Sequence, residues 1–157
     1  MPIRPTQQKD EEKILDFIRA TKVFNDEEIA IAKELLDIYL NDKNQNDYEI
    51  FSSVNERDEA IGYVCFGQTP ATQATYDLYW IAVDPNVHNK GIGTQLLQFT
   101  EKYLKNKNAR LIIAETSSTS KYESTRAFYI KKGFEQLARI NEYYKSDDDL
   151  LIYGKYL

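Results

Sequence analysis

The stretch Ala82-Val83-Asp84-Pro85-Asn86-Val87-His88-Asn89-Lys90-Gly91-Ile92-Gly93-Thr94 constrains this chain more than any other. An apolar run ends at Asp84-Pro85 and a short polar loop follows. Two glycines spaced Gly-x-Gly then open a run with apolar residues at Ile92, Leu96, Phe99, Tyr103 and Leu104. Strand, loop and glycine-rich helix start, in that order, point several backbone N–H groups at one spot. Such a spot suits a phosphate or pyrophosphate. The same order demands a fold in which a strand hands over to a helix.

The rest of the chain supplies that fold. Met1–Arg4 reads as a short strand, broken by Pro5 and Thr6. Ile14, Leu15, Phe17 and Ile18 mark one face of a helix over Gln7–Ala20. Asn25 with Glu28 three residues on is a capping box, and Ile29, Ala32, Leu35, Leu36 and Tyr39 recur behind it at helical spacing. Three strand patterns follow, around Tyr48–Ser52, Ala60–Phe66 and Asp77–Val83. Their connections are short and polar, as in an antiparallel meander. The third helix is predicted over Gly91–Lys105 and a strand over Leu111–Thr116. Ser120 with Glu123 reads as a second capping box, opening a helix over Lys121–Lys132 that Gly133 ends. Strands over Phe134–Tyr144 and Leu150–Tyr156 close the chain, with Lys145–Asp149 as the polar turn between them. The order is β-α-α-β-β-β-α-β-α-β-β, one α/β domain over residues 1–157 around a mixed sheet.

Composition narrows the function. The net charge of −5 disfavours nonspecific nucleic-acid binding but leaves room for a polyanionic ligand held locally by amides. One cysteine and one histidine leave little from which to build a metal site, and Cys65 sits in an apolar strand pattern as a small buried hydrophobe. No apolar stretch is long enough for a membrane span, and Gln7–Lys13 is wholly polar where a signal peptide would be apolar. The expectation is a soluble cytoplasmic protein with no metal, no nucleic acid and no membrane partner.

Three glycine-rich readings compete for the phosphate. A dinucleotide fingerprint needs Gly-x-Gly-x-x-Gly, but Leu96 holds the third position and a strand meander precedes it. A P-loop needs Gly-x-x-x-x-Gly-Lys-Ser/Thr, which the chain lacks. The third reading is an acyl-CoA loop. His88-Asn89-Lys90-Gly91-Ile92-Gly93 resembles the Arg/Gln-x-x-Gly-x-Gly/Ala pattern of the GNAT acetyltransferases. Downstream, Thr125-Arg126-Ala127-Phe128-Tyr129-Ile130-Lys131-Lys132-Gly133-Phe134 resembles that family's helix ending in Phe-Tyr-x-x-x-Gly-Phe. Both motifs in this order, with the element order above, extend the resemblance over essentially the whole chain, closest to a poorly characterised bacterial branch. There are departures: His88 stands for the usual Arg or Gln, Asn89 for a common glycine, and Tyr122 where many relatives carry a cofactor-contacting asparagine.

The resemblance implies a GNAT fold with the sheet splayed at its fourth and fifth strands, and direct transfer of an acetyl group from acetyl-CoA to a primary amine of a small molecule or peptide. It implies that amides from Asn89, Lys90, Gly91, Ile92, Gly93 and Thr94 hold the pyrophosphate, with His88 at the pyrophosphate end of the loop as a phosphate contact or without a role. Ile81 and Val83 offer backbone to the pantetheine arm, and Tyr122 takes the place of the cofactor-contacting asparagine. Tyr129 maps to the general acid. A phenol of pKa about 10 can donate to a thiolate whose conjugate acid lies near 8.5 as the C–S bond breaks. For the base that accepts the amine's proton, Glu115 is the first candidate, with Asp77 and Tyr79 as alternatives. The acceptor is expected to meet the first two helices, the connection Thr21–Asn25 and the hairpin Ile140–Leu150, where Tyr143 and Tyr144 either line the site or pack. Asp147-Asp148-Asp149 reads as a hairpin turn that can also steer cations. Pairing of two copies through the final strands gives a possible homodimer. The competing reading is an acyl-CoA-binding sensor or interaction module without catalysis.

Overall fold

Asn25 starts its helix as the capping box requires. Its Oδ1 accepts from the Glu28 N–H at 2.8 Å, and Glu28 Oε1 accepts from the Asn25 N–H at 3.2 Å. The computed structural model describes residues 1–87 and 91–157. Along them run β1 (Ile3–Pro5), a 3-10 turn (Gln8–Asp10), α1 (Glu11–Thr21), α2 (Asp26–Asn41), β2 (Glu49–Val54), β3 (Ala60–Gln68) and β4 (Thr75–Val83). There follow α3 (Ile92–Asn106), β5 (Leu111–Ser117), a second 3-10 turn (Ser120–Tyr122), α4 (Glu123–Lys131), β6 (Glu135–Lys145) and β7 (Asp148–Tyr156). This is the expected order of strands and helices.

Two local expectations are corrected. Ser120 does not cap α4. The 3-10 turn takes Ser120 into its own first position and delays the α-helix to Glu123, with Tyr122 as an N-cap whose side chain makes no capping bond. Asp148 and Asp149 are not a solvated turn either: β7 begins at Asp148, both side chains are buried, and Lys145 pairs directly with Asp148.

The strands form one sheet in the order β1-β2-β3-β4-β5-β7-β6. Every neighbouring pair is antiparallel except β4 and β5, which run parallel. That pair is also the shortest relative to its strands. It holds for Thr75↔Leu111, Tyr76↔Ile112 and Asp77↔Ile113 and then stops, although β4 continues to Val83 and β5 to Ser117. The cause lies on the other side of β4. Against β3, Phe66 pairs with Leu78 and Cys65 with Trp80, so Tyr79 is an extra residue, a β-bulge. A bulge bends its strand and raises its twist. Here it falls just past the last β4–β5 pair and swings the end of β4 away from β5.

Each face of the sheet has its own core. Ile14, Phe17, Ile18 and Leu36 of α1 and α2 pack on Ile50, Tyr63 and Cys65. On the other face Leu96, Leu97 and Leu104 of α3, with Tyr129 of α4, pack on Val64, Phe66, Ile112 and Tyr153. α3 lies tightly on the sheet over Gly62, where a Cβ would stand 3.0 Å from Ile92 Cγ2 and 3.2 Å from Leu96 Cδ1. That contact seats the start of α3 beside the end of β4. No described helix is long and apolar enough to cross a membrane.

Candidate acyl-transfer site

The start of α3 is built to receive a negative charge. Gly91, at N-cap, has φ +62°, a left-handed conformation that glycine adopts without steric cost. Among the described residues, the first helical bond runs from Gln95 N–H to Gly91 O at 3.0 Å. The amides of Ile92, Gly93 and Thr94 belong to the first turn, whose N–H groups have no partner within the helix. α3 has no side-chain cap and no acid in its first turn, whereas α2 has Asp26, Glu27 and Glu28 there. An anion at such an end is stabilised by roughly 0.3–1 kcal/mol from the helix dipole alone. His88, Asn89 and Lys90 lie outside the described residues.

Three segments meet at Gly93. A Cβ built there would lie 3.8 Å from Val83 Cγ2 and 3.8 Å from the Phe128 ring. These are ordinary contacts, so no described neighbour forbids a side chain at this position. Val83 and Ile81 pair with Gly62 and Val64 of β3 and pack toward the α3–α4 core. Their other edge faces the gap where β5 has parted, so their backbone groups have no strand partner on that side.

Tyr129 neighbours Phe128 on α4 and is 6% exposed, with its ring against Phe134 and Tyr153. No hydrogen bond to a described residue engages its hydroxyl, and burial alone raises its pKa. It is a proton-bearing phenol at pH 7 on the same side of the sheet as Ile81, Val83 and the α3 start.

Glu115 lies beyond the last β4–β5 pair. It is solvent-accessible, yet its surroundings desolvate it, and with the nearby charge of Asp77 they raise its pKa above the ordinary carboxylate value. A raised carboxyl pKa makes a better proton acceptor. Asp77 accepts from Thr69 Oγ1 at 2.8 Å. Tyr79, the bulge residue, meets Tyr48 edge-on with ring centroids 5.8 Å apart. Burial, then Asp77, push its hydroxyl up to about 12.

More carboxylates and phenols gather at this mouth. The Tyr122 hydroxyl donates to Glu28 Oε2, tying the turn before α4 to the first turn of α2 across the gap. Burial and that bond raise the Tyr122 pKa. The hydroxyl is thus occupied by α2. Tyr144 is pushed up to about 12 by burial first and then by Glu115, Tyr143, Asp148 and Glu28. Among the described residues, the neighbours that shift Glu115, Tyr122 and Tyr144 most are acidic or phenolic, and one cation, Arg126, donates to the Ser117 and Thr119 carbonyls at 2.8 Å each. The sequence motifs give the elements that carry Tyr129 and the Gly91 helix start, but no motif points to Glu28 as Tyr122's partner. The capping box accounts for Glu28 locally, and nothing in the sequence signals a contact 94 residues away. Among the described residues, no three His, Cys, Asp or Glu side chains gather as a metal site requires.

A parted parallel strand pair, an uncapped helix start at the parting and a buried phenol beside it define an acyl-CoA-dependent transferase fold. The comparisons agree. The acetyltransferase (GNAT) family matches residues 12–134, and the chain belongs to that family. A crystal structure of a GNAT-family protein from Desulfovibrio desulfuricans is 35% identical, with TM-score 0.91, over 99% of this chain and 98% of that one. An aminoglycoside 6'-N-acetyltransferase crystallised with coenzyme A shares the fold at TM-score 0.74 and 18% identity, over 99% of this chain and 97% of that one. In Bacillus subtilis (strain 168), the S-(2-succino)cysteine N-acetyltransferase is 29% identical over 69 residues, covering 44% of this chain and 42% of that protein. This chain thus matches less than half the length of that curated relative.

Proposed function

We propose that this protein is an N-acetyltransferase that moves an acetyl group from acetyl-CoA to a primary amine carrying further positive charge. The observation that carries the reading is the convergence at Gly93. The acid-free start of α3, the unpaired edge of β4 and the Phe128–Tyr129 step of α4 meet where the sheet opens. Ile92, Gly93 and Thr94 amides bind the pyrophosphate, with His88, Asn89 and Lys90 assigned to the same loop. Ile81 and Val83 align the pantetheine arm by their backbone. Tyr122 has its hydroxyl on Glu28, so any contact it makes with the cofactor comes from its ring or backbone.

When bound, acetyl-CoA supplies the acetyl thioester, and the chain's residues manage the protons. An alkylamine of pKa about 10.4 arrives mostly charged at pH 7 and must lose a proton before it can attack. Glu115 accepts it, directly or through a water. Tyr129 donates a proton to the departing thiolate. The charged groups that shift Glu115, Tyr122 and Tyr144 most are carboxylates, Glu28, Asp77, Asp148 and, toward Tyr144, Glu115 itself, which suits an acceptor with more than one ammonium group.

The test is release of CoA thiol from acetyl-CoA with n-butylamine, putrescine, spermidine, L-lysine and kanamycin. Acetyl transfer is expected, with higher kcat/KM for the polycations than for n-butylamine. Tight acetyl-CoA binding without transfer to any amine would replace this reading with a non-catalytic acyl-CoA sensor.

A further inference from the structure

The β6–β7 hairpin departs from a regular ladder at one place. Ile140 pairs with Leu150 and Lys145 with Asp148, so four residues, Asn141–Tyr144, stand opposite the single residue Asp149. A loop of this kind at a sheet edge gives up ladder bonds, and Glu142 adopts φ +49°, unfavourable for a non-glycine residue. One side chain holds it. The Asp149 carboxylate accepts from the Glu142 backbone N–H at 2.8 Å and from Arg139 Nε at 2.7 Å. The backbone of Asp149 is itself fixed to the end of β5. Its N–H donates to Ser118 Oγ at 2.8 Å, and its carbonyl accepts from the Ser118 N–H at 3.0 Å. Asp149 therefore joins two things: the strand end that follows Glu115, and an excursion that belongs to the edge strand.

The excursion displays two large rings. Tyr143 is 56% exposed and Tyr144 47%, edge-on to each other with centroids 5.0 Å apart. Neither is needed by a core. The excursion sits beside the gap through β7: Leu150, next to Asp149, pairs with Ser117, and Ile152 with Glu115.

Resting on the acetyltransferase reading, we propose that Asp149 is a positioning residue. Its carboxylate holds the Asn141–Tyr144 excursion at the mouth of the parted sheet, so that Tyr144 forms a wall of the acceptor site. A phenol face beside carboxylates is a good surface for an ammonium group or its alkyl chain. Asp149 acts on catalysis only through the ring it places.

The test uses the full chain with spermidine as acceptor. Asp149→Ala removes the one bond into the excursion, from the Glu142 N–H, and leaves Arg139, which is half exposed, free to hydrate. The expected result is a rise of about tenfold in KM for spermidine with KM for acetyl-CoA within twofold. Tyr144→Ala should do the same, and the double variant should be no worse than either single one, because both remove the same wall. Asp149→Asn, which keeps an oxygen for the Glu142 amide, should recover part of the loss. Hydrogen exchange reads the clamp without any acceptor: amides 141–144 should exchange at least tenfold faster in Asp149→Ala while those of β7 stay protected. Unchanged exchange overturns the proposal. So do effects of Asp149→Ala and Tyr144→Ala that multiply, or an equal rise in KM for acetyl-CoA. Failure of the unaltered chain to acetylate any amine counts against the proposed function instead, and the exchange measurement still decides the clamp.

Discussion

Replacing Tyr129 by phenylalanine should separate activity from stability. The ring is buried against Phe128, Phe134 and Tyr153, and phenylalanine keeps every one of those contacts. The hydroxyl has no hydrogen-bond partner among the described residues, and its titration is shifted by burial alone. A buried hydroxyl with a partner would cost about 1 kcal/mol or more to delete; one without a partner costs nothing in bonding and recovers its desolvation penalty. Tyr129→Phe should therefore leave folding free energy within about 1 kcal/mol of the original or raise it. Tyr129→Ala, which empties the site, should cost about 3–5 kcal/mol. If the hydroxyl is the proton donor, its loss should lower turnover by about 10²–10⁴, a barrier increase of roughly 2.7–5.5 kcal/mol. Thiol release can be followed with a disulfide dye in the folded protein, because Cys65, the single cysteine, is fully buried and its thiol pKa is raised by that burial. Chemical denaturation supplies the stability. A variant that unfolds more easily by 2 kcal/mol, or one that turns over within threefold of the original when chemistry limits the rate, would refute the assignment.

Further outcomes follow from other sites. Glu115 must be ionised to accept a proton, so kcat/KM should rise with pH through its pKa, which lies above the ordinary 4.5. Asp77→Asn removes a charge that raises that pKa and should move the acidic limb to lower pH, while Glu115→Gln should abolish the limb and reduce turnover by about 10²–10⁴. Gly93→Ala meets nothing closer than 3.8 Å and should leave thermal stability intact, yet weaken acetyl-CoA binding in calorimetry by obstructing the backbone approach. Gly62→Ala forces a Cβ to 3.0 Å from Ile92 and should cost about 1–3 kcal/mol in denaturant titrations. Arg4→Ala strands the carboxylate of Asp10, which is 2% exposed and takes two bonds from that guanidinium, and should cost about 3–5 kcal/mol by the same measurement.

The features legible in the sequence were those set by neighbours along the chain. Gly-x-Gly after Asp84-Pro85 gave the start of α3, and Asn25 with Glu28 gave the start of α2, because caps and turns depend on a few consecutive residues. The same logic failed at Ser120. Its spacing to Glu123 matches a capping box, but a 3-10 turn competes for the same residues and wins. The position of the sheet opening came from family resemblance. Its cause, the bulge at Tyr79, depends on the register against β3, which no local pattern encodes. The acceptor side was least legible. Tyr122 with Glu28 is a long-range contact, and three consecutive aspartates look like a solvated turn until Ser117, Ser118 and Arg139 are seen to bind two of them.

The central claim is that amides at the start of α3 hold the pyrophosphate of acetyl-CoA at the opening of the sheet. Titrating ¹⁵N-labelled protein with acetyl-CoA tests it directly. Saturable shifts of the Ile92, Gly93 and Thr94 amides, larger than those elsewhere in α3, are the expected result. Binding that leaves those three amides unmoved, or no binding to the folded chain, would contradict it.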